Sequence, residues 1–343
     1  MEVDCLGVHG LSYSRSAGKF SRYSSLSDTI KRALATIEVP DLLEPAGVIR
    51  DDGKRPDDMT YVLFPGTTWT QELIWLVENN LDFKSAKTKP LYERFPMLET
   101  TSHIPELGVE LIKADFMNIA KFQGVGAAAR VPSWQLIENT PSPRYIKTHL
   151  PLSMLPPNLL STCKVVYVAR DPRDVAVSYY YLHKLVSKGF IRSSVRHFWN
   201  AFKRDLLPCS PIVDHVQEAY DNRNHENLHF VFYEDLIKDL PYEIRRLCKF
   251  FNRQYDDDRL QQLAHHVSFD SLKKNKKVND QPNRKETNGD NAVQFIRKGE
   301  SGGWSQHFDE EMTLQAEEFL IKRLRNANMT YPSVTDIYEC SYL

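Results

Sequence analysis

The stretch from Thr60 to Trp75, TYVLFPGTTWTQELIW, constrains the fold more than any other. A short apolar strand, Tyr61-Val62-Leu63-Phe64, turns through Pro65-Gly66 and opens into a helix at Thr67-Thr68. A strand that passes through glycine into a helix leaves the first backbone N–H groups unpaired, beside the positive end of the helix dipole. That arrangement binds phosphate. Thr67 and Thr68 add hydroxyl donors, and Trp69 sets a flat ring where a base can stack. The full G-x-x-x-x-G-K-[ST] pattern is absent, so the stretch alone is equally consistent with an ordinary strand-to-helix turn capped by threonine.

Further along, strands alternate with helices, which makes the class α/β. At 343 residues a single large α/β domain is expected. The helix from Thr67 is expected to end near Asn79-Asn80, where asparagine tolerates the left-handed conformation. Residues 81–143 are irregular and rich in proline and aromatics, as in a lid over a binding site. Within it Phe95, Met97, Leu98, Phe116, Met117, Phe122 and Trp134 either line an apolar pocket or fill a local core. Arg144 to Leu150 alternates as a strand, so Lys147 and His149 share one face while Ile146 and Thr148 take the other.

The continuously apolar run Lys164 to Ala169 reads as a central parallel strand. It ends in Arg170-Asp171-Pro172-Arg173-Asp174, with Asp171 as N-cap and Pro172 at the first helical position. This is a second strand-to-helix junction suited to an anion. A nucleotide triphosphatase would place an acidic residue at this strand end to hold Mg²⁺. Arg170 instead points to metal-free recognition of a phosphate. Leu228 to Tyr233 is a further strand, helices follow near Glu243–Phe251 and Asp257–His266, and Lys273 to Lys277 reads as a solvated loop. Arg297-Lys298-Gly299 forms a charged loop whose backbone can approach a phosphate closely. A last helix, Asp309 to Arg325, carries an apolar stripe of Met312, Leu314, Ala316, Phe319, Leu320 and Leu324.

Three anion sites and a stacking ring suit a nucleotide with phosphates at both ends. An imidazole, with an ordinary pKa of about 6.5, suits proton removal near neutrality, and His149 stands at a strand end beside a lysine. A core or capping histidine is the competing reading of the same position.

Charge and composition narrow the field. Lys+Arg 44 against Asp+Glu 45 leaves a net charge of -1, which offers no field for nucleic acid. The five cysteines, Cys5, Cys163, Cys209, Cys248 and Cys340, show no C-x-x-C spacing and suggest neither a disulfide scaffold nor a zinc site. Apolar runs fall far short of the ~20 residues a membrane helix needs. No membrane association is expected, and the cytosol is the expected compartment.

Lys147-Thr148-His149-Leu150-Pro151-Leu152-Ser153, Val165 to Tyr179, Phe232-Tyr233-Glu234-Asp235, and Phe295 to Trp304 with His307 to Met312 occur in an order that resembles the cytosolic sulfotransferases, most closely their insect members. The resemblance spans roughly Arg55 to Tyr331. It implies a P-loop-like nucleotide-binding fold, with a central, mainly parallel sheet flanked by helices. A variable arm over 1–54, a sulfotransferase domain over 55–331 and a tail over 332–343 follow from it.

The implied co-substrate is 3′-phosphoadenosine 5′-phosphosulfate, the implied partner a small apolar molecule bearing a hydroxyl, and no metal is implied. By the same resemblance Gly66, Thr67 and Thr68 hold the 5′-phosphosulfate and Trp69 the adenine. Arg170, Ser178, Arg297, Lys298 and Gly299 hold the 3′-phosphate, and Phe269 packs on the base. His149 deprotonates the acceptor, and Lys147 matches a second site lysine.

Departures from the family pattern carry as much weight. The family loop reads Pro-Lys-Ser-Gly-Thr-Thr-Trp, whereas Pro65 is followed directly by Gly66. Cys209 stands where the family often has an adenine-contacting tyrosine. The family's C-terminal dimerisation pattern is not legible around Ser305 to Leu314. A catalytically weak nucleotide-binding homologue is therefore the alternative to an active transferase, and a kinase or NTPase of related fold is the third reading.

Overall fold

The computed structural model of the chain describes residues 59–63, 67–98, 137, 140–186, 193–207, 209–278, 296, 299–325 and 327–334, with the backbone alone at 59–63 and 67. Four strands form one parallel sheet among these residues: β1 Met59–Leu63, β2 Arg144–Thr148, β3 Lys164–Ala169 and β4 Leu228–Phe232, in the order β2-β1-β3-β4. In chain order the helices are α1 Thr67–Glu78, α2 Phe83–Thr88, α3 Leu91–Arg94, α4 Leu159–Thr162, α5 Pro172–Val186, α6 Val195–Phe202, α7 Ile212–Asp221, α8 Tyr233–Lys238, α9 Leu240–Phe250, α10 Asp257–His266, α11 Phe269–Lys274 and α12 Glu310–Leu324.

β3 is buried along nearly all its length because both faces of the sheet are covered. Its side chains alternate between the two layers. Val165, Tyr167 and Ala169 enter the core shared with α5, α6, α7 and α12. Val166 enters the opposite core, built on α1, α9 and α10. The chain winds from β1 to β2 on one side and then returns past β1 to β3 on the other. A crevice opens at such a reversal, at the C-terminal ends of the strands, and ligands of open α/β sheets bind there.

Local chemistry accounts for several boundaries. α1 ends at Glu78, and Asn80 and Leu81 take φ of 52° and 58° to turn the chain back, as the asparagine pair predicts. α5 starts at Pro172, with the Asp171 carboxylate accepting the Arg173 N–H at 2.8 Å.

Three expectations are corrected. β4 stops at Phe232, and Tyr233 opens α8 instead of ending the strand. Lys273 and Lys274 close a helix, and the Lys277 carbonyl accepts the Leu91 N–H at 2.9 Å, so this basic run is structured rather than a solvated loop. On α12 the buried face is Met312, Ala316, Leu320 and Leu324, while Leu314 is 61% exposed because it lies two residues, about 200°, round the helix from Met312. The expected short helix from Leu26 to Ile37, and Phe116, Met117, Phe122 and Trp134, lie outside the described residues.

Beneath the sheet edge the Glu72 carboxylate on α1 accepts from Arg94 Nη2 at 2.6 Å and from His266 Nε2 at 2.8 Å. A carboxylate only accepts, so His266 carries its proton on Nε2. The side chains of Glu72 and Arg94 are 0% and 2% exposed, and the guanidinium lies 4.7 Å from the Trp75 ring. This knot joins α1, α3 and α10. From α3 the chain runs to Pro96–Leu98, where Pro96 O accepts the Lys147 N–H at 2.9 Å and Lys147 O accepts the Leu98 N–H at 2.8 Å. The outer edge of β2 is thereby covered.

Candidate active site

Strand register sets the order of groups along the C-terminal edge of the sheet. Leu63 of β1 pairs with Thr148 of β2 on one side and Tyr167 of β3 on the other, and Ala169 pairs with Phe232 of β4. The residues that leave these strands therefore stand side by side: His149 after β2, the turn into α1 after β1, Arg170 after β3 and Tyr233 after β4. Neighbouring strands lie ~4.8 Å apart, so a histidine flanks the helix N-terminus on one side and an arginine flanks it on the other.

On the β3 side, the Arg170 guanidinium lies 4.2 Å from the centroid of the Tyr233 ring. Tyr233 meets Trp69 edge-on, with centroids 5.6 Å apart at 77°. Arg170 Nη2 donates to the Glu300 carbonyl at 2.9 Å and faces Asp174 at 3.5 Å. Asp174 accepts the Gly302 and Trp304 N–H groups at 2.8 and 2.9 Å, and Arg173 stacks 4.2 Å over the Trp304 ring. Burial raises the Asp174 carboxyl above the usual carboxylate range, against the pull of Arg170 and the two N–H donors. This clasp binds the loop 299–304 to the first turn of α5. Ser178, half-buried, lies one turn beyond Asp174 on the same helix face.

At the head of that loop Gly299 has φ of 68° and rests against Phe269. A Cβ on Gly299 would come within 2.7 Å of Phe269 Cγ. The structure thus brings Thr68, Trp69, Arg170, Ser178, Phe269 and Gly299 to the sheet edge as described residues. Gly66, Arg297 and Lys298 lie outside the described residues, and of Thr67 only its place at the start of α1 is described.

Tyr233 was not singled out from sequence, and its position directly after an apolar strand was the available signal. The aromatic beside Trp69 and Arg170 is this residue. Cys209, which stands at the expected tyrosine position, packs instead against the core that includes Phe198 and Phe202, with φ of 61°.

On the β2 side, His149 is anchored through its backbone. Its carbonyl lies 3.0 Å from His215 Nε2, and His215 Nδ1 lies 2.7 Å from the Tyr167 hydroxyl. A carbonyl cannot donate, so His215 carries a proton on Nε2, and in its neutral form it accepts from Tyr167 at Nδ1. Tyr167 is wholly buried in the central strand, so the chain of bonds fixes the end of β2 to the middle of the sheet. The Thr148 hydroxyl, also fully buried, accepts the Leu150 N–H at 3.1 Å and shapes the exit from the strand. Lys147 and His149 are half-buried while Ile146 and Thr148 are buried, which keeps the alternation read from sequence. Among the described residues no cluster of three or more His, Cys, Asp and Glu side chains is arranged to hold a metal, and no helix is long and apolar enough to cross a membrane.

Comparison with known proteins agrees with this geometry. A sequence profile described as "Sulfotransferase domain" matches residues 65–328. Mouse "Sulfotransferase 1 family member D1" is 29% identical over 315 residues, covering 89% of this chain and 98% of its own length. "Luciferin sulfotransferase" of Photinus pyralis is 30% identical over 297 residues, covering 83% of this chain and 76% of its own. Among solved structures, retinol dehydratase in complex with retinol and PAP superposes with a TM-score of 0.71 at 37% identity, over 80% of this chain and 83% of its own. The same enzyme with androsterone and inactive cofactor PAP gives a TM-score of 0.69 at 34% identity, over the same shares. A profile match across most of the chain, carried on the parallel sheet and phosphate-binding edge described above, makes this protein a member of the sulfotransferase family.

Proposed function

We propose that the protein transfers a sulfuryl group from 3′-phosphoadenosine 5′-phosphosulfate to the hydroxyl of a small apolar acceptor of phenol, sterol or retinoid type, in the cytosol. The observation that carries this reading is the order along the sheet edge: His149, the N-terminus of α1, Arg170 and Tyr233. With the 5′-phosphosulfate at Gly66, Thr67 and Thr68, the adenine lies beside Trp69, Tyr233 and Phe269. The 3′-phosphate meets Arg170, Ser178, Arg297, Lys298 and Gly299, and His149 is left next to the sulfur. His149 takes the proton of the acceptor hydroxyl as its oxygen bonds to sulfur. The bond from sulfur to the bridging oxygen breaks, and that oxygen leaves on the 5′-phosphate. Retinol and androsterone in the related complexes support an apolar, alcohol-bearing acceptor. Sulfur-35 transfer from labelled donor to a panel of retinoids, sterols and phenols tests the reading, and absence of product with every acceptor refutes it.

The loop composition favours one second reading. With no lysine between Pro65 and Gly66, one positive charge expected beside the leaving phosphate is missing. Loss of a comparable transition-state donor costs about 3–4 kcal/mol. Lys147, on the strand next to β1, is placed to offset part of this. A chain that binds 3′,5′-ADP without turnover, but turns over once Lys-Ser is inserted after Pro65, is a binding homologue instead.

The Gly299–Phe269 contact yields a separate prediction. Alanine at Gly299 costs about 1–2 kcal/mol for the left-handed backbone alone, and its methyl displaces the Phe269 ring. Affinity of Gly299→Ala for 3′,5′-ADP falls at least about tenfold by calorimetry, and an unchanged affinity would remove Gly299 and Phe269 from the nucleotide site.

A further inference from the structure

The turn between β3 and α5 concentrates five ionisable side chains, and their pairing is unequal. Asp171 takes Arg173 through both carboxylate oxygens, Nε to Oδ1 at 3.0 Å and Nη2 to Oδ2 at 2.6 Å, and accepts the Ser333 hydroxyl at 2.7 Å. Asp174 faces Arg170 and holds two loop N–H groups. Both arginines are thus committed. The remaining carboxyl, Glu234 on α8, accepts the Asp171 N–H through Oε1 at 3.0 Å, while its buried Oε2 has no hydrogen-bond partner among the described residues.

Three carboxyl groups, Asp171, Asp174 and Glu234, thus share two guanidinium groups, Arg170 and Arg173. The cluster carries one net negative charge if Glu234 is ionised and none if it is protonated. The other titratable groups facing it are phenols. Tyr233 on α8 and Tyr331 in the C-terminal segment both have their pKa raised by burial and stay neutral near pH 7.

We infer that Glu234 is a positioning residue for the turn that carries Arg170, and that nucleotide binding at this turn is coupled to uptake of one proton by the Glu234 carboxyl. The inference rests on the nucleotide reading above. Protonation preserves the bond to the Asp171 N–H, because the carbonyl oxygen of the acid still accepts, and turns the unpartnered oxygen into a hydroxyl. It also removes the excess negative charge where a phosphate settles on Arg170. The energetics agree: burial first, with the Asp171 charge adding to it, pushes the Glu234 carboxyl up to about 7, against the N–H donors and Arg170. An arriving phosphate pushes it higher, so the proton is bound more tightly in the complex and affinity falls as pH rises past neutrality. The phosphates of the nucleotide act in the opposite sense. Their second ionisation, near pH 6, moves down beside arginine and releases protons.

Titration calorimetry of the full chain with 3′,5′-ADP at pH 7, in two buffers of different ionisation enthalpy, counts these protons. The unchanged protein takes up as much as about half a proton per nucleotide, because a group with a pKa near 7 is half protonated beforehand. Glu234→Gln takes up none, or releases a fraction, and its affinity does not weaken between pH 7 and 8, where that of the unchanged protein weakens severalfold. Should the variant not fold, the difference infrared spectrum of the unchanged protein on adding nucleotide carries the test, through growth of a protonated-carboxyl band. Nucleotide binding without proton uptake, uptake retained in Glu234→Gln, or no such band overturns the inference alone. No binding at all overturns the nucleotide reading and the inference with it.

Discussion

His149→Ala abolishes sulfuryl transfer, with kcat/KM falling about 10²–10⁴-fold, the usual contribution of a positioned acid or base, while 3′,5′-ADP binds the variant as it binds the unchanged chain. The separation of the two effects is the informative part. His149 leaves the sheet at β2, across β1 from Arg170 and Tyr233, so removing its ring does not disturb the aromatic and cationic groups assigned to the nucleotide. Its backbone stays fixed in the variant, since His215 bonds to the carbonyl and not to the ring. Turnover that survives the substitution would assign the proton to another group. A variant that loses nucleotide binding along with turnover would make His149 a structural histidine, the competing reading of its sequence position.

Arg94→Met destabilises the protein by about 3–5 kcal/mol, the cost of leaving a buried charge without its partner. Glu72 is fully buried and Arg94 nearly so, and their contact at 2.6 Å is reinforced by Arg94 Nε on the Lys89 carbonyl at 3.1 Å. His266 remains bonded to the other carboxylate oxygen, which holds the loss near the lower end. Removing the charge as well as its partner reverses most of the effect. Glu72→Leu with Arg94→Met recovers the greater part, because two ions are then no longer desolvated for one bond. Urea denaturation with circular dichroism compares the three proteins. A single variant within about 0.5 kcal/mol of the parent, the range of an ordinary surface substitution, would show the pair to be energetically idle.

Elements whose hydrophobic pattern follows backbone periodicity were legible in the sequence. β3 was read at its observed bounds because six consecutive apolar or half-buried positions fit only a strand covered on both faces. α10 was read at its bounds because Asp256 caps its first turn through the Arg259 N–H at 2.8 Å. α5 was equally plain from Asp171-Pro172. Misreadings arose where a neighbour, not periodicity, set the outcome. Lys273 and Lys274 close a helix because Leu272 is buried in the core beside α10. Tyr233 turns into α8 and under Arg170, although its sequence continues the apolar run of β4.

The sequence by itself determined the class, the phosphate-binding turn at Thr67-Thr68, the arginine at the end of β3, the histidine beyond β2, and the missing lysine after Pro65. Each is a local fact: a residue type at a fixed offset from a strand or helix end. Tertiary structure alone decided which strand ends are neighbours, and so placed His149 and Arg170 on opposite sides of the same turn. It alone set Tyr233 between Trp69 and Arg170, and gave Asp174 the task of holding the Gly302–Trp304 loop. It also left Glu234 a buried carboxyl without a cation of its own. The physical reason is that burial and charge pairing depend on residues far apart in sequence, Asp171 and Ser333 or Asp174 and Gly302, which meet only when the sheet and its flanking helices close.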